Sequence, residues 1–213
     1  MRVTVFGATG KIGSRVVARL LADGHEAVVF VRNPAKLGDL AGRVTAIEGQ
    51  LSDPDAVGRA VAGSDAVISA LGPDLSLFAK GTPVADGTRT IVAAMQRHGV
   101  RRYIGLGTPS AADPRDSPRR RIPRLTAWVA RHHIWNAMTE LYAMTDAVAS
   151  SSLEWTVARI TNPVDAPSRG TLRAGFVGRD DVGWRMSRED IAAFLVGQLT
   201  DATYLRAMPA ISN

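Results

Sequence analysis

The sequence opens with the apolar run Arg2-Val3-Thr4-Val5-Phe6, followed at once by Gly7-Ala8-Thr9-Gly10-Lys11-Ile12-Gly13. In this G-x-x-G-x-x-G spacing the first glycine permits a tight turn, the second lets the backbone approach a pyrophosphate, and the third lets a helix pack closely. Unpaired N–H groups at the start of that helix would face the phosphates. The loop therefore predicts a dinucleotide site that uses its three glycines and the backbone of Thr9, Lys11 and Ile12.

The residues after the loop complete a strand–helix–strand unit. Residues 14–22 place apolar side chains on one helical face, and Asp23-Gly24 provides a stop with glycine in the cap position. Residues 27–31 then form a second apolar strand. A glycine motif alone is also typical of an ordinary strand-to-helix turn, and this βαβ context favours the dinucleotide site.

The end of the second strand bears on the choice of cofactor. NAD-selective sites usually carry an acidic residue near this point, whereas this chain has Arg32-Asn33-Pro34-Ala35-Lys36, with two cations and no carboxylate. An arginine can hold a 2′-phosphate through two hydrogen bonds and stack on adenine. The segment favours NADP(H) over NAD(H), with Arg32 and Lys36 as the contacts, and a solvated surface arginine is the alternative for Arg32.

The rest of the chain alternates short apolar runs with amphipathic segments. Strands are predicted at 2–6, 27–32, 44–48, 66–70, 103–106 and 154–159, with a short one near 204–208. Asp53-Pro54 and Ser187 are predicted helix starts, and Gly99 is a predicted helix stop. The pattern predicts one doubly wound (Rossmann) α/β domain over 1–213, with a mostly parallel sheet of six to seven strands flanked by helices.

Several segments resemble, in order, those of the atypical short-chain dehydrogenases/reductases, in particular the NAD(P)H-binding, NmrA-like branch and its flavin reductase/biliverdin reductase B group. They are 7–13, 31–34, 49–53, 65–72, 99–104, 152–159 and 186–192. The resemblance covers nearly the whole chain, although most of it concerns architecture. It implies that residues from about 160–213 form a small region on the substrate side.

Residues that follow predicted strands are candidates for the ligand crevice, because that crevice lies beyond the carboxyl ends of parallel strands. The predicted contacts are Gln50 and Leu51 after the third strand, Ala70, Leu71 and Gly72 after the fourth, and Thr108 and Ser110 after the fifth. Gln50 stands where the family usually has Asp, beside adenine, and its carbonyl can still pair with an amino group. The resemblance places the Thr108 and Ser110 hydroxyls beside the nicotinamide, with turn hydrogen bonding as the alternative.

The chain departs from its relatives in a helix predicted over about 125–149. Short-chain dehydrogenases carry Tyr-x-x-x-Lys there, and the tyrosine acts as an acid. With Glu140 aligned to the family's glutamate, His132 and Asn136 replace that pair, while Tyr142 is followed by Asp146. His132 is either a proton donor or a surface or packing histidine, and no metal site is predicted.

The composition of the chain restricts the other classes of protein to which it could belong. The chain has no cysteine, which excludes disulfides and thiolate nucleophiles, and neither a signal peptide nor an 18-residue apolar run is present. We therefore expect a cytoplasmic protein without membrane contact. The net charge is +6, but the basic residues concentrate only at 115–124, among prolines and without aromatic residues. That segment is interpreted as a solvated loop or a mouth attracting an anionic ligand, rather than a nucleic-acid surface.

The resemblance implies an NADPH-dependent oxidoreductase that transfers a hydride to a small conjugated acceptor such as a flavin or quinone. Such chemistry depends on orientation and stacking more than on a positioned acid. Two alternatives stay open: an NADP(H)-binding redox sensor without turnover, and an NAD(P)-dependent sugar epimerase-like enzyme. The expected partner is a small-molecule substrate, and the expected assembly is a monomer or a homodimer.

Overall fold

The computed structural model describes residues 1–72, 81–108, 111–117 and 135–213, with side chains from 138 onward in the last range. A sheet of eight strands forms its centre, in the order β3-β2-β1-β4-β5-β6-β10-β8, and β7 pairs separately with β9. The strands are β1 Arg2–Phe6, β2 Glu26–Val31, β3 Thr45–Glu48, β4 Ala66–Ser69, β5 Arg102–Gly107, β6 Glu154–Arg159, β7 Asn162–Val164, β8 Arg173–Gly175, β9 Arg185–Ser187 and β10 Ala210–Ser212.

Helices connect the parallel strands. They are α1 Gly13–Ala22, a 3₁₀ helix at Pro34–Leu40, α2 Pro54–Val61, α3 Pro83–Arg97, α4 Trp135–Ala149 and α5 Arg188–Gly197. The expected helix starts at Asp53 and Ser187 are confirmed, because each side chain accepts hydrogen bonds from the first-turn amides of its helix. None of the helices in these ranges is both long and apolar enough to cross a bilayer.

The predicted doubly wound α/β class is confirmed, and the six main strands lie where the sequence places them. The sheet has one strand more than expected, because β8 pairs antiparallel with β10 at the edge. The short strand expected near 204–208 is found only in part. Residues 203–206 form a turn, in which Thr203 N donates to Asp201 and Leu205 N to Ala202 O. Ala207 pairs with β6 through a parallel bridge to Thr156, and the regular strand begins at Ala210.

Strand β1 shows how the sheet builds two cores. Val3 and Val5 face one side, where they pack with α1 and α5, and Phe6 faces the other, where it packs with α2 and α3. This alternation follows the two-residue repeat of a strand. Thr4, on the same side as Phe6, is fully buried and donates its hydroxyl to Ala60 O at 2.6 Å.

The strand order places the crevice. From β1 the chain proceeds outward through β2 and β3 on one side and through β4, β5 and β6 on the other. Ligands of such sheets bind where the order reverses, beyond the carboxyl ends of the central strands. Here that point lies between β1, which leads into the glycine loop, and β4, which leads into residues 70–72.

Candidate functional site

A cavity of about 760 Å³ opens at this reversal point, beyond the ends of β1 to β4. That volume lies in the range typical of small-molecule sites. The predicted residues that line it are Gly7, Thr9, Arg32, Gln50, Leu51, Leu71 and Gly72. Other predicted residues do not line it, namely Gly10, Lys11, Ile12, Gly13, Lys36, Ala70 and Thr108. Ser110 and His132 lie outside the described residues.

The glycine loop has the geometry that its spacing predicts. Gly7 has φ +80°, and a Cβ there would lie 2.9 Å from the carbonyl of Ala70, so the turn rests directly on the end of β4. A Cβ at Gly13 would lie 2.0 Å from Gly7 O, which is how closely α1 packs on the loop. Among the residues that the structure describes, the only atom within 4 Å of a Cβ at Gly10 would be Gly7 O, at 3.2 Å. The space outside Gly10 is therefore open to a ligand.

The start of α1 differs from the starts of α2 and α5. No side chain caps it, and its first turn has no acidic residue. By contrast, Asp53 caps α2 and Ser187 caps α5, and both helices carry carboxylates in their first turns. The amides of Lys11 and Ile12 donate to no acceptor in the part of the chain that the structure describes. Free N–H groups at the positive end of a helix form a ready anion site.

Arg32 directly follows β2 and is exposed on the cavity wall. Within the described ranges it has neither an ion pair nor a hydrogen bond, so its five donors are available to a ligand. Lys36 is exposed on the 3₁₀ helix, away from the cavity wall. Asn33 begins that helix by accepting a hydrogen bond from Ala35 N at 3.0 Å.

The opposite wall of the cavity comes from α3, which the sequence analysis did not place at the site. Its contribution consists of Pro83, Val84, Asp86, Gly87 and Thr90. Gly87 was the available signal, since a Cβ there would lie 2.7 Å from the Leu51 side chain. A glycine inside a helix usually costs stability, so its presence indicates a close approach. The Phe6 and Phe30 rings, with centroids 5.2 Å apart, also border the cavity.

A group of charges surrounds Asp165, which follows β7. Its carboxylate contacts Arg188 at 2.9 Å, Arg15 at 3.4 Å and Lys11 at 3.5 Å. Desolvation acts to raise the pKa of Asp165, but the Arg188 hydrogen bond and the nearby cations together hold it below its usual value. Two of these cations, Lys11 and Arg15, belong to the glycine loop and the first turn of α1, so the anion site already faces a carboxylate of the same chain.

Beyond β5, the described residues are well tied to the rest of the structure. Arg115, the first cation of the arginine-rich segment, contacts Asp113 at 2.8 Å and lies 4.7 Å from the centre of the Phe176 ring. Arg115 is thus held by its neighbours, and the other four arginines of that segment lie outside the described residues.

In α4, Glu140 is buried and accepts a hydrogen bond from Val84 N at 2.6 Å, at the start of α3.

Comparison with known proteins agrees with this geometry. The model of a family described as NAD(P)H-binding matches residues 7–202. The 2-alkyl-3-oxoalkanoate reductase of Stenotrophomonas maltophilia is 34% identical over 113 residues, covering 52% of this chain and 34% of its own length. The chain spans about a third of the length of the curated relatives it matches.

Solved structures share the fold over the whole chain. A short-chain dehydrogenase/reductase from Veillonella parvula in complex with NADP has a TM-score of 0.75 and 21% identity, covering 100% of this chain and 94% of that one. The anaerobillin reductase ChuY from Escherichia coli O157:H7 has a TM-score of 0.76 and 19% identity, covering 100% and 97%. These structures show the same fold as the chain, and the family model shows that the chain belongs to the NAD(P)H-binding family.

Proposed function

We propose that the protein is an NADPH-dependent oxidoreductase whose acceptor is a small conjugated ring system. The observation that carries the proposal is the uncapped start of α1 beside a cavity that also presents Arg32. An anion site and a free cation on one crevice suit a ligand with a pyrophosphate and a further phosphate.

The residues present fit a dinucleotide. The amides of Lys11 and Ile12 would hold the pyrophosphate, and the bare Gly10 backbone would let it approach. Arg32 would hold the 2′-phosphate of the adenosine ribose, with Lys36 adding charge nearby. Gln50 and Leu51 would border adenine between β3 and α3. When bound, NADPH supplies a hydride.

On the acceptor side, the choice of a conjugated ring rests on what α4 lacks. Tyr142 is exposed and is followed by Asp146 at the position where a lysine would lower its pKa. A flat ring can take its proton from solvent, so the chain needs only to orient it. Thr108, Ser110 and His132 are the proposed contacts on this side, and residues from about 160–213 would close the site there.

The names of the relatives divide between two kinds of acceptor. The ChuY neighbour is named an anaerobillin reductase, whereas the Stenotrophomonas maltophilia relative is named for the reduction of a 3-oxo acid. The test is therefore NADPH oxidation against a matched panel of flavins, quinones, a linear tetrapyrrole and a 3-oxo acid. We expect turnover with at least one ring acceptor and less with the 3-oxo acid.

Two results would contradict this function. Turnover of the 3-oxo acid above all ring acceptors would assign a carbonyl reductase. Tight NADPH binding without oxidation by any acceptor would instead assign the redox-sensor alternative. The Gly10→Val protein is the control for both arms, because it should remain folded and lose the cofactor.

A further inference from the structure

Arg159, the last residue of β6, is the largest fully buried side chain of the described residues. It lies at the carboxyl end of the sheet and is in register with Gly107, the last residue of β5. Ile160 N donates to Gly107 O at 3.0 Å, which extends the pairing by one residue. Burying a charged side chain costs free energy unless hydrogen bonds and an opposite charge compensate for it. The partners of the Arg159 guanidinium therefore indicate the role of this residue.

Among the described residues, the side-chain partners of Arg159 lie in the segment that follows β5 and are bound by its two Nη atoms, while its buried Nε has no partner there. Its two Nη atoms donate to the two carboxylate oxygens of Asp116 at 2.6 and 2.7 Å. Nη1 also donates to Ala111 O at 3.0 Å. The planar guanidinium thus fixes both the distance and the angle between β6 and residues 111–116, as a fork-shaped donor does.

Ala111 connects this arrangement to the end of β5. Its amide donates to Thr108 O at 3.0 Å, so Thr108 is tied to Ala111, and Ala111 is tied to Arg159. Strand pairing through Gly107 holds the other side of Thr108. The position of Thr108, directly after the carboxyl end of β5, is therefore set by β5 on one side and by Arg159, through Ala111, on the other.

Asp116 joins a third segment to the same point. Besides Arg159 it accepts hydrogen bonds from Asp113 N at 3.0 Å and, beyond β8, from Val177 N at 2.8 Å. Burial acts to raise the pKa of Asp116, but the hydrogen bonds from Arg159 and its neighbours keep it below its usual value. The carboxylate therefore stays charged opposite Arg159 at neutral pH.

We propose that Arg159 and Asp116 are positioning residues, which hold Thr108 in place for the acceptor end of the site. The proposal rests on the proposed function. Stability alone is a weak reason for such a pair, because well-packed apolar residues often replace buried ion pairs without loss. What apolar residues cannot replace are the hydrogen bond to Ala111 O and those that Asp116 accepts from Asp113 N and Val177 N.

That difference gives the experiment. The double variant Arg159→Met/Asp116→Leu removes both charges together and should remain folded. We expect an NADPH Kd within about twofold of the unmodified protein, because these residues lie away from the cavity, and a kcat lowered by about 10²-fold, the cost of misplacing a group at a reacting centre. Hydrogen exchange across 107–117 should accelerate, while exchange in β1 and α1 is unchanged.

Two further variants separate positioning from folding. Arg159→Lys keeps a charge opposite Asp116, but a single amine cannot serve Asp116 and Ala111 O with the same geometry, so kcat should fall in this protein too. Arg102→Met is the matched control. Arg102 is a buried arginine at the amino end of β5 that donates to Gln198 O and Thr156 Oγ1. The Arg102→Met variant should be less stable than the unmodified protein, with an unchanged kcat and unchanged hydrogen exchange at 107–117.

The exchange measurement needs no turnover, so it tests whether Arg159 holds residues 107–117 in place even if the unmodified protein reduces no acceptor and the proposed function fails. Unchanged exchange at 107–117 in both Arg159 variants would overturn the proposal. So would faster exchange with an unchanged kcat, or an equal fall in kcat in Arg102→Met, since either result leaves these residues a structural role only.

Discussion

Gly13 packs against Gly7 so closely that a Cβ atom at position 13 would lie 2.0 Å from Gly7 O. A Cβ at Gly10, three residues earlier, would meet only Gly7 O, at 3.2 Å, within the described part of the chain. These two glycines of one motif therefore have different roles. The close packing of α1 requires Gly13, and the approach of a phosphate requires Gly10.

This contrast predicts opposite effects for two variants. Gly13→Ala should destabilise the fold by about 1 to 3 kcal/mol, the usual cost of overpacking. Gly10→Val should keep most of its stability and lose NADPH binding, because its side chain would occupy the approach of the pyrophosphate. Thermal melts and calorimetric titration measure the two effects. Gly197→Ala is the control for both, because a Cβ at position 197 meets no atom of the described residues within 4 Å.

The account of the loop fails if a folded Gly10→Val protein binds NADPH as tightly as the unmodified one. Equal melting temperatures for Gly13→Ala and Gly197→Ala would contradict the packing argument separately.

A second prediction concerns Asp165, which contacts Lys11, Arg15 and Arg188 beside the anion site. In Asp165→Asn the cations keep their charge and lose a competing carboxylate, so NADPH should bind more tightly. Because exposed ion pairs contribute little, Kd should fall by no more than about fivefold. Calorimetric titration at low and high salt measures it, and the gain should shrink with salt.

Asp181→Asn provides the comparison, because this exposed carboxylate contacts Arg173 at 2.8 Å beside the edge strand β8. Its NADPH affinity should be unchanged. Weaker NADPH binding in Asp165→Asn would show that the carboxylate orders the site rather than competing for its cations.

The sequence predicts the strands, the helix caps and the glycine loop because each depends on neighbours within a few residues. Ser187 illustrates this, since its hydroxyl caps α5 at Asp190 N, three residues away. The role of α3 was missed because Gly87 approaches Leu51 only after both have folded onto the sheet. Arg159 looked like an ordinary strand end for the same reason, because its partner Asp116 lies 43 residues away in the chain.

Residues 204–208 show a further limit. Their composition is strand-like, and Ala207 pairs with β6 through a parallel bridge to Thr156. Residues 203–206, however, form a turn in which Leu205 N donates to Ala202 O and Arg206 has φ +50°, a left-handed conformation that local preference does not predict for arginine. The regular strand therefore begins only at Ala210.

A third prediction concerns stability in acid. Asp190 is buried at the start of α5, where it accepts hydrogen bonds from Ser187 Oγ, Ser168 Oγ and Arg169 N. Burial acts to raise its pKa, but these hydrogen bonds hold that pKa below the ordinary value. A lowered carboxylate pKa contributes stability above the unfolded value of about 3.9, and the contribution is lost as pH falls through the folded pKa.

Melting temperatures of the unmodified protein should therefore fall as the pH drops below about 4. In Asp190→Asn this fall should be shallower, since one of the carboxylates responsible is gone, and stability near pH 7 should be lower. Asp39→Asn, at an exposed position, should follow the unmodified curve. Parallel acid curves for the Asp190 variant and the unmodified protein would contradict this role of Asp190.

The most direct test of the account compares the binding of NADPH and NADH by calorimetry in the unmodified protein, in Arg32→Ala and in Arg59→Ala. Arg59→Ala is the control, because Arg59 is exposed and does not line the cavity. We predict tighter binding of NADPH in the unmodified and Arg59 proteins. Arg32→Ala should lose about 1 to 3 kcal/mol for NADPH and almost nothing for NADH. Equal dissociation constants for the two cofactors in the unmodified protein, or an equal loss for both in Arg32→Ala, would contradict the central claim.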